Sequence, residues 1–102
     1  MENDNLIPAE ECCTHYNIEI SFVSSLNDAG LIEITTIDER NFIHQHQLSD
    51  LEKYIRLHYD LDINVEGLET IAYMLEKMKS MQQQVMELQK RLRLYEEVEL
   101  NV

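Results

Sequence analysis

The sequence contains few of the residues that break helices or build phosphate-binding loops. Its 102 residues include two glycines, Gly30 and Gly67, one proline and no tryptophan. Two isolated glycines exclude a glycine-rich loop of the kind that wraps a nucleotide phosphate. Long apolar runs are also missing, and the first residues are acidic and polar. We therefore expect a cytoplasmic protein with neither a signal peptide nor a membrane span.

Cysteine is scarce as well, and the two cysteines, Cys12 and Cys13, are neighbours in the chain. Adjacent residues seldom reach disulfide geometry, so we expect buried free thiols. Together with His15, His44 and His46 they offer zinc-ligand chemistry, but their spacing matches no recognised zinc pattern. A cysteine nucleophile needs a lowered thiol pKa, whereas burial beside acidic residues raises it. The sequence thus predicts no metal, no cofactor and no enzymatic activity.

Positive charge is nearly missing from the first part of the chain. The formal net charge is -12, and residues 1–62, with 13 acidic and three basic side chains, carry -10 of it. No lysine or arginine precedes Arg40, while nine acidic residues lie in positions 1–39. Because phosphate contacts supply most of the affinity of a DNA reader, this distribution disfavours direct DNA binding. It favours a basic protein partner, since opposite fields accelerate association and orient the two proteins.

The most informative stretch runs from Leu68 to Tyr95 and contains strong helix formers without glycine or proline. Two apolar series with sevenfold spacing run through it, three and four residues apart, as the a and d seams of a coiled coil are. The seam residues are Ile71, Met74, Met78, Met81, Val85, Leu88, Leu92 and Tyr95. This stripe is too narrow for burial in a globule and predicts a homodimer in which one partner helix covers it.

The long helix is expected to begin near Asn64, a good N-cap, and to end near Glu97. Such a helix would be roughly 50 Å long at ~1.5 Å per residue. In an alternative arrangement the helix folds back along the N-terminal half, but that half is too short to cover the whole stripe. The spacing does not decide between parallel and antiparallel pairing.

Residues ahead of the long helix predict a small helical domain with one β-hairpin. Pro8 begins a first helix that Asn17 ends in a left-handed conformation. The other elements are a second helix from Ile18 closed by Gly30, a hairpin of residues 31–37 and 41–46 around Asp38–Arg40, and a third helix with a capping box from Ser49 to Glu52. The predicted fold is mainly α with a small β-hairpin. It is a winged helix-turn-helix domain in residues 1–62, followed by a long C-terminal coiled-coil dimerisation helix in residues 63–102.

The spacing also predicts which side chains face inward. Ile20 shares an apolar row with Val23 and Leu26, and Leu61 and Ile63 are expected to pack the corner before the long helix. The outward positions of the second helix are expected to be Glu19, Ser21, Phe22, Ser25 and Asp28.

This order of elements resembles the MerR-like winged-helix superfamily. Gly30-Leu31-Ile32 opens the wing, and Gly67 and Leu68, followed by Ile71, open the long helix. Within that superfamily the chain is most similar to the small chaperone-modulator proteins (CbpM). The residues that carry this resemblance are Cys13, His15, Asn17 and Ile18, then Leu26 with Ala29 to Ile32, and the segment 67–75.

The resemblance implies an acidic adaptor that binds the J-domain of a DnaJ-type co-chaperone and restrains its stimulation of Hsp70. Other MerR proteins bind DNA as dimers. The resemblance therefore also implies an alternative function, that of a transcriptional regulator. A third interpretation is an acidic module for some other basic protein, which the charge distribution permits equally. The expected partner-binding residues are Glu19, Asp28, Glu33, Asp38 and Glu39.

Overall fold

The computed structural model describes residues 5–100, and its elements follow the predicted order. The helices are α1 (Ala9–Tyr16), α2 (Ile20–Asp28), α3 (Leu48–Ile55) and α4 (Val65–Leu100), and the strands are β1 (Leu6–Pro8), β2 (Ile34–Ile37) and β3 (Arg40–His44). The prediction of a mainly helical winged helix-turn-helix domain with a long C-terminal helix is confirmed.

The turn between α1 and α2 is built as the sequence predicts. Asn17 ends α1 in the left-handed region, with φ 59° and ψ 51°. The next backbone N–H, that of Ile18, donates to the carbonyl of Cys13 at 2.9 Å. Ile18 itself is buried, and α2 begins two residues later than expected, at Ile20. The turn therefore places an apolar side chain in the core before the second helix starts.

The buried face of α2 differs from the predicted one. Phe22, expected to point outward, is 5% exposed, whereas Ile20, expected to point inward, is 47% exposed. The ring of Phe22 stacks on that of His58 with centroids 4.4 Å apart and meets Tyr59 edge-on at 5.3 Å. These aromatic partners lie about 36 residues away in sequence, and they rotate the helix relative to its simple apolar periodicity.

Gly30 closes α2 as predicted. Its φ of 79° lies in the left-handed region, which glycine adopts without the steric cost that other residues meet. The N–H groups of Gly30 and Leu31 donate to the carbonyls of Asn27 and Leu26, at 3.1 and 2.9 Å. These are the two hydrogen bonds of a Schellman motif, and they satisfy carbonyls that the helix end would leave open.

The predicted hairpin is present, and it belongs to a three-stranded antiparallel sheet in the order β1-β3-β2. β2 and β3 pair Ile34 with Ile43 and Ile37 with Arg40. Asp38 and Glu39 form the turn between them at φ 51° and 65°, the conformation of a type I′ turn. The third strand, β1, pairs with β3 and was not predicted from the sequence.

The capping box predicted for α3 is wrong. The helix begins at Leu48, so Ser49 lies inside its first turn, and no side chain caps the helix start. The side chain of Gln47, just ahead of the helix, instead binds the backbone of Glu33 twice, accepting at 2.7 Å and donating at 2.9 Å. This pair of bonds joins the start of α3 to the segment that leads into the wing.

A π-helical turn, Arg56–Asp60, follows α3 and leads to the corner before α4. The imidazole of His58 lies 2.8 Å from the carbonyl oxygen of Ile63, and Ile63 packs against the core as predicted. Leu61 was expected beside it but is 64% exposed, because the corner turns its side chain outward. Asn64 caps α4 as predicted, its side-chain oxygen accepting from the N–H of Gly67 at 2.8 Å.

One cluster of buried side chains holds the first part of the chain together. It consists of Ala9, Cys12, Ile18, Phe22, Val23, Leu26, Ile32, Ile43, Leu51 and Leu68. The members come from all four helices, from β3 and from two turns, so no pair of adjacent elements forms the core alone.

The chain divides into two units, the first extending to Thr70 and the second beginning at Ile71. The sequence-based boundary after residue 62 falls earlier, at the corner before α4. The second unit consists of the helical segment from Ile71 onward, which belongs to the 36-residue helix α4. None of the helices between residues 5 and 100 combines the length and the hydropathy needed to cross a membrane.

Candidate functional site

The exposed face of α2 carries no positive charge. Its solvent-facing residues include Ile20, Ser21, Ser24, Ser25 and Asp28. Glu19, which precedes the helix, accepts a hydrogen bond from the hydroxyl of Ser21 at 3.4 Å, and its own N–H donates to the hydroxyl of Tyr59 at 3.3 Å. This face therefore offers hydroxyl groups, carboxylates and one aliphatic side chain to a partner.

The wing presents one cation beside two acids. Arg40 is exposed at the start of β3, directly after Asp38 and Glu39, and its guanidinium lies 5.5 Å from the ring centroid of Phe42. Arg40 is the first lysine or arginine of the whole sequence. The helix-turn-helix and the wing tip thus have a strongly negative surface.

The five acids expected to bind a partner are all exposed, but they do not form one compact patch. Glu19 and Asp28 flank opposite ends of α2, about 13 Å apart at ~1.5 Å per residue. Glu33 precedes β2 and Asp38 follows it, so the two are about 16 Å apart along the strand at ~3.3 Å per residue. Among residues 5–100 the ion pairs are Lys53 with Asp50 and Arg91 with Glu87, so none of the five acids is neutralised by one.

A small groove opens where α1, α2 and the wing tip meet, with a volume of about 150 Å³. Its lining residues are Pro8, Ala9, Glu10, Ile20, Glu39, Arg40 and Asn41. The groove brings Glu39, one of the predicted residues, together with Glu10 and Ile20, which were not predicted as binding residues. Glu10 has the expected place in the first turn of α1, and only the pairing of β1 with β3 brings that turn to the wing.

The two free thiols, both expected to be buried, differ in burial. Cys12 is buried in the core and Cys13 is partly buried, and burial raises the pKa of both thiols. His44 lies 3.3 Å from the hydroxyl of Thr35, and its ring centroid is 5.4 Å from that of His46. In the part of the chain that the structure describes, no three histidine, cysteine or acidic side chains are grouped to hold a metal ion.

One hydrogen bond at the surface links α1 to α3. The hydroxyl of Tyr16 donates to a carboxylate oxygen of Glu52 at 2.8 Å. Burial and this bond to a negatively charged acceptor raise the pKa of Tyr16 to about 12. The bond joins the end of α1 to α3 and does not involve the residues that line the groove.

The predicted dimer seam is open to solvent. Ile71 is partly buried. The other seven seam residues have exposed fractions between 51% (Val85) and 67% (Tyr95). Side chains of this kind stabilise a protein only where a second surface removes them from water.

Comparison with known proteins assigns the scaffold. The model of the MerR HTH family regulatory proteins matches residues 7–90, which include every element of the winged domain and most of α4. The chain belongs to this MerR family. No curated protein and no solved structure matches it. The match supports the resemblance to MerR-like proteins that the sequence indicated.

As a MerR-family chain it has the regulatory helix-turn-helix and wing, but with a surface of unusual sign. A MerR-type domain that reads DNA needs cations on its second helix and wing to contact phosphates. Here α2 has none, and Arg40 is flanked by two carboxylates. The MerR scaffold is thus present with a negatively charged second helix and wing tip.

Proposed function

We propose that this MerR-family chain is a non-enzymatic acidic adaptor that binds the J-domain of a DnaJ-type co-chaperone and restrains its stimulation of Hsp70. One observation carries the proposal: the exposed face of α2 and the wing tip offer carboxylates and a single cation, Arg40. A surface of this sign repels phosphates and attracts a basic protein. The resemblance to the chaperone-modulator proteins supports the J-domain as that protein.

The proposed mechanism is occlusion. The bound adaptor covers the J-domain surface that stimulates Hsp70, so no chemical step by the adaptor is required. Opposite fields speed the encounter more than they strengthen the final complex. The association rate should therefore fall steeply as salt shortens the range of the charges.

We also propose that the adaptor is a homodimer joined through the seam of α4. The support is the unbroken run of apolar a and d positions and their exposure in the single chain. Burying such a seam against an identical one would remove apolar surface of both copies from water.

The test mixes the purified chain with the J-domain of its cognate DnaJ-type protein. We expect saturable binding, an association rate that falls at least about tenfold between about 0.05 and 0.5 M salt, and loss of Hsp70 ATPase stimulation as the adaptor saturates. A salt-independent association rate contradicts the electrostatic argument. Absence of binding contradicts the J-domain as the partner.

The family match favours a second candidate function, a DNA-binding transcriptional regulator. A pull-down from native cytosol with the intact chain separates the two candidates. Recovery of a DnaJ-type protein supports the adaptor. Recovery of DNA or polymerase components without a J-domain protein supports the regulator, and recovery of another basic protein supports an acidic module with a different partner.

A further inference from the structure

We propose that the groove between α1, α2 and the wing tip is the docking site for a basic protein segment that inserts one aliphatic side chain between flanking lysines or arginines. This proposal deepens the proposed function, because it names the part of the acidic domain that a basic partner contacts. It divides the five expected acids, placing Glu39 at the contact and Glu33 outside it.

The size and lining of the groove fit a single apolar anchor. A volume of about 150 Å³ is below the range of roughly 300–1,000 Å³ that holds drug-sized ligands. Pro8 and Ala9 line it with apolar atoms, and Ile20 lies in it with 47% of its surface exposed. The exposure of Ile20 leaves apolar area that a partner side chain can remove from water.

The charge around the groove defines the partner. Glu10 and Glu39 line it. Three more exposed acids are sequence neighbours of lining residues: Glu11 follows Glu10, Glu19 precedes Ile20, and Asp38 precedes Glu39. Against these five carboxylates stands Arg40, whose guanidinium lies over the ring of Phe42. No ion pair within residues 5–100 involves any of the five acids. A segment with cations on both sides of its anchor complements this arrangement, and a nucleic acid backbone does not.

The walls of the groove are held by backbone pairing. Pro8 lies opposite Phe42 in the β1-β3 pair, and Ile37 lies opposite Arg40 at the wing tip. The turn of Asp38 and Glu39 is held between β2 and β3 by the pairing of Ile37 with Arg40. The site therefore exists before the partner arrives, which limits the entropy that binding must offset.

The first experiment follows the isoleucine methyl signals of the full-length chain by NMR. The probes are the cognate J-domain, duplex DNA, a synthetic peptide with one leucine between pairs of lysines, and the same peptide with serine in place of leucine. We expect the J-domain and the leucine peptide to shift the Ile20 signal, and the serine peptide to shift it much less. Ile34, which lies at the end of β2 away from the wing tip and does not line the groove, serves as the internal reference and should keep its position.

The second experiment compares matched variants in binding to the same J-domain. I20S and E39Q should each raise the Kd about tenfold or more, whereas L61S and E33Q, at exposed residues outside the groove, should stay within about twofold. All four side chains are exposed, and unchanged thermal unfolding verifies that each variant folds.

The outcomes separate the two proposals. An Ile20 shift with the leucine peptide but no binding to the J-domain supports the groove and overturns the J-domain as partner. Binding to the J-domain with an unmoved Ile20 signal, or with equal effects of all four variants, overturns the groove and leaves the adaptor function standing. A shift of Ile20 by duplex DNA, with no response to either the J-domain or the leucine peptide, overturns both.

Discussion

The homodimer proposal can be tested with two leucines of α4 that differ only in their position around the helix. Leu88 lies on the seam and Leu94 does not, yet they are 60% and 59% exposed in the single chain. Six residues of helix separate them, so their side chains point roughly 120° apart. Alanine is the best helix former, which means that neither L88A nor L94A weakens the helix itself.

The magnitude follows from what a partner helix would cover. Truncating a fully buried leucine to alanine costs about 2–5 kcal/mol, and a seam between two helices stays partly open at its edges. We take about 2 kcal/mol for Leu88 in each copy and therefore about 4 kcal/mol for the dimer. This corresponds to a Kd raised about a thousandfold. L94A should change the Kd by less than about threefold, because its side chain stays in water in both states.

Sedimentation equilibrium over a wide range of protein concentration measures both dissociation constants. Circular dichroism of both variants, at a concentration where the wild type is dimeric, verifies that any loss of helix content is explained by dissociation of the dimer alone. Equal effects of L88A and L94A would refute the assignment of the a and d seam. A wild-type chain that stays monomeric at high concentration would refute the homodimer.

Three further predictions concern the winged domain. N64A should lower the free energy of unfolding by about 1 kcal/mol and N64D by much less, because only the alanine variant removes the oxygen that caps α4; urea denaturation measures both. G30A should also cost about 1 kcal/mol, since nothing obstructs an added Cβ and the penalty is the positive φ alone, and the smaller loss expected for G30N checks this cause. The pKa of Tyr16, raised to about 12 by burial and the bond to Glu52, means that the folded chain holds this proton more tightly than the unfolded chain does. The stability that Tyr16 contributes is thus complete below pH 10 and lost as the pH rises from 10 to 12, and a Y16F variant that loses as much stability as the wild type in that window would contradict this.

Local signals were sufficient for the existence of the helices and for most of their ends. The start of α1 after Pro8, the left-handed Asn17, the Schellman closure at Gly30 and the Asn64 cap all depend on residues within one turn of each other, so the sequence alone indicates them. The hairpin was predictable for the same reason. The capping box at Ser49 was wrong because α3 begins at Leu48, and Gln47 uses its side chain on the distant backbone of Glu33.

Distant contacts account for the other differences. Ile20 and Phe22 exchange their expected faces because His58 and Tyr59 offer aromatic partners that no local pattern reveals. The charge of the candidate site could be read from the sequence, since it depends on composition alone. The shape of the site could not be predicted. The groove brings Glu10 and Glu39 together through β1, and this three-residue strand forms only by pairing with β3.

That short strand also constrains the order in which the domain can assemble. The pairing of Pro8 with Phe42 closes a loop that contains α1, α2 and β2, whereas the β2-β3 hairpin and the helix pair each form between chain neighbours. Closing a loop of about 30 residues costs chain entropy. The hydrogen bonds of a three-residue strand offset this cost only after the interior of the loop has become compact. We therefore expect the pairing of β1 to form late in folding and to break early in unfolding, so that the groove loses its shape when the domain begins to open.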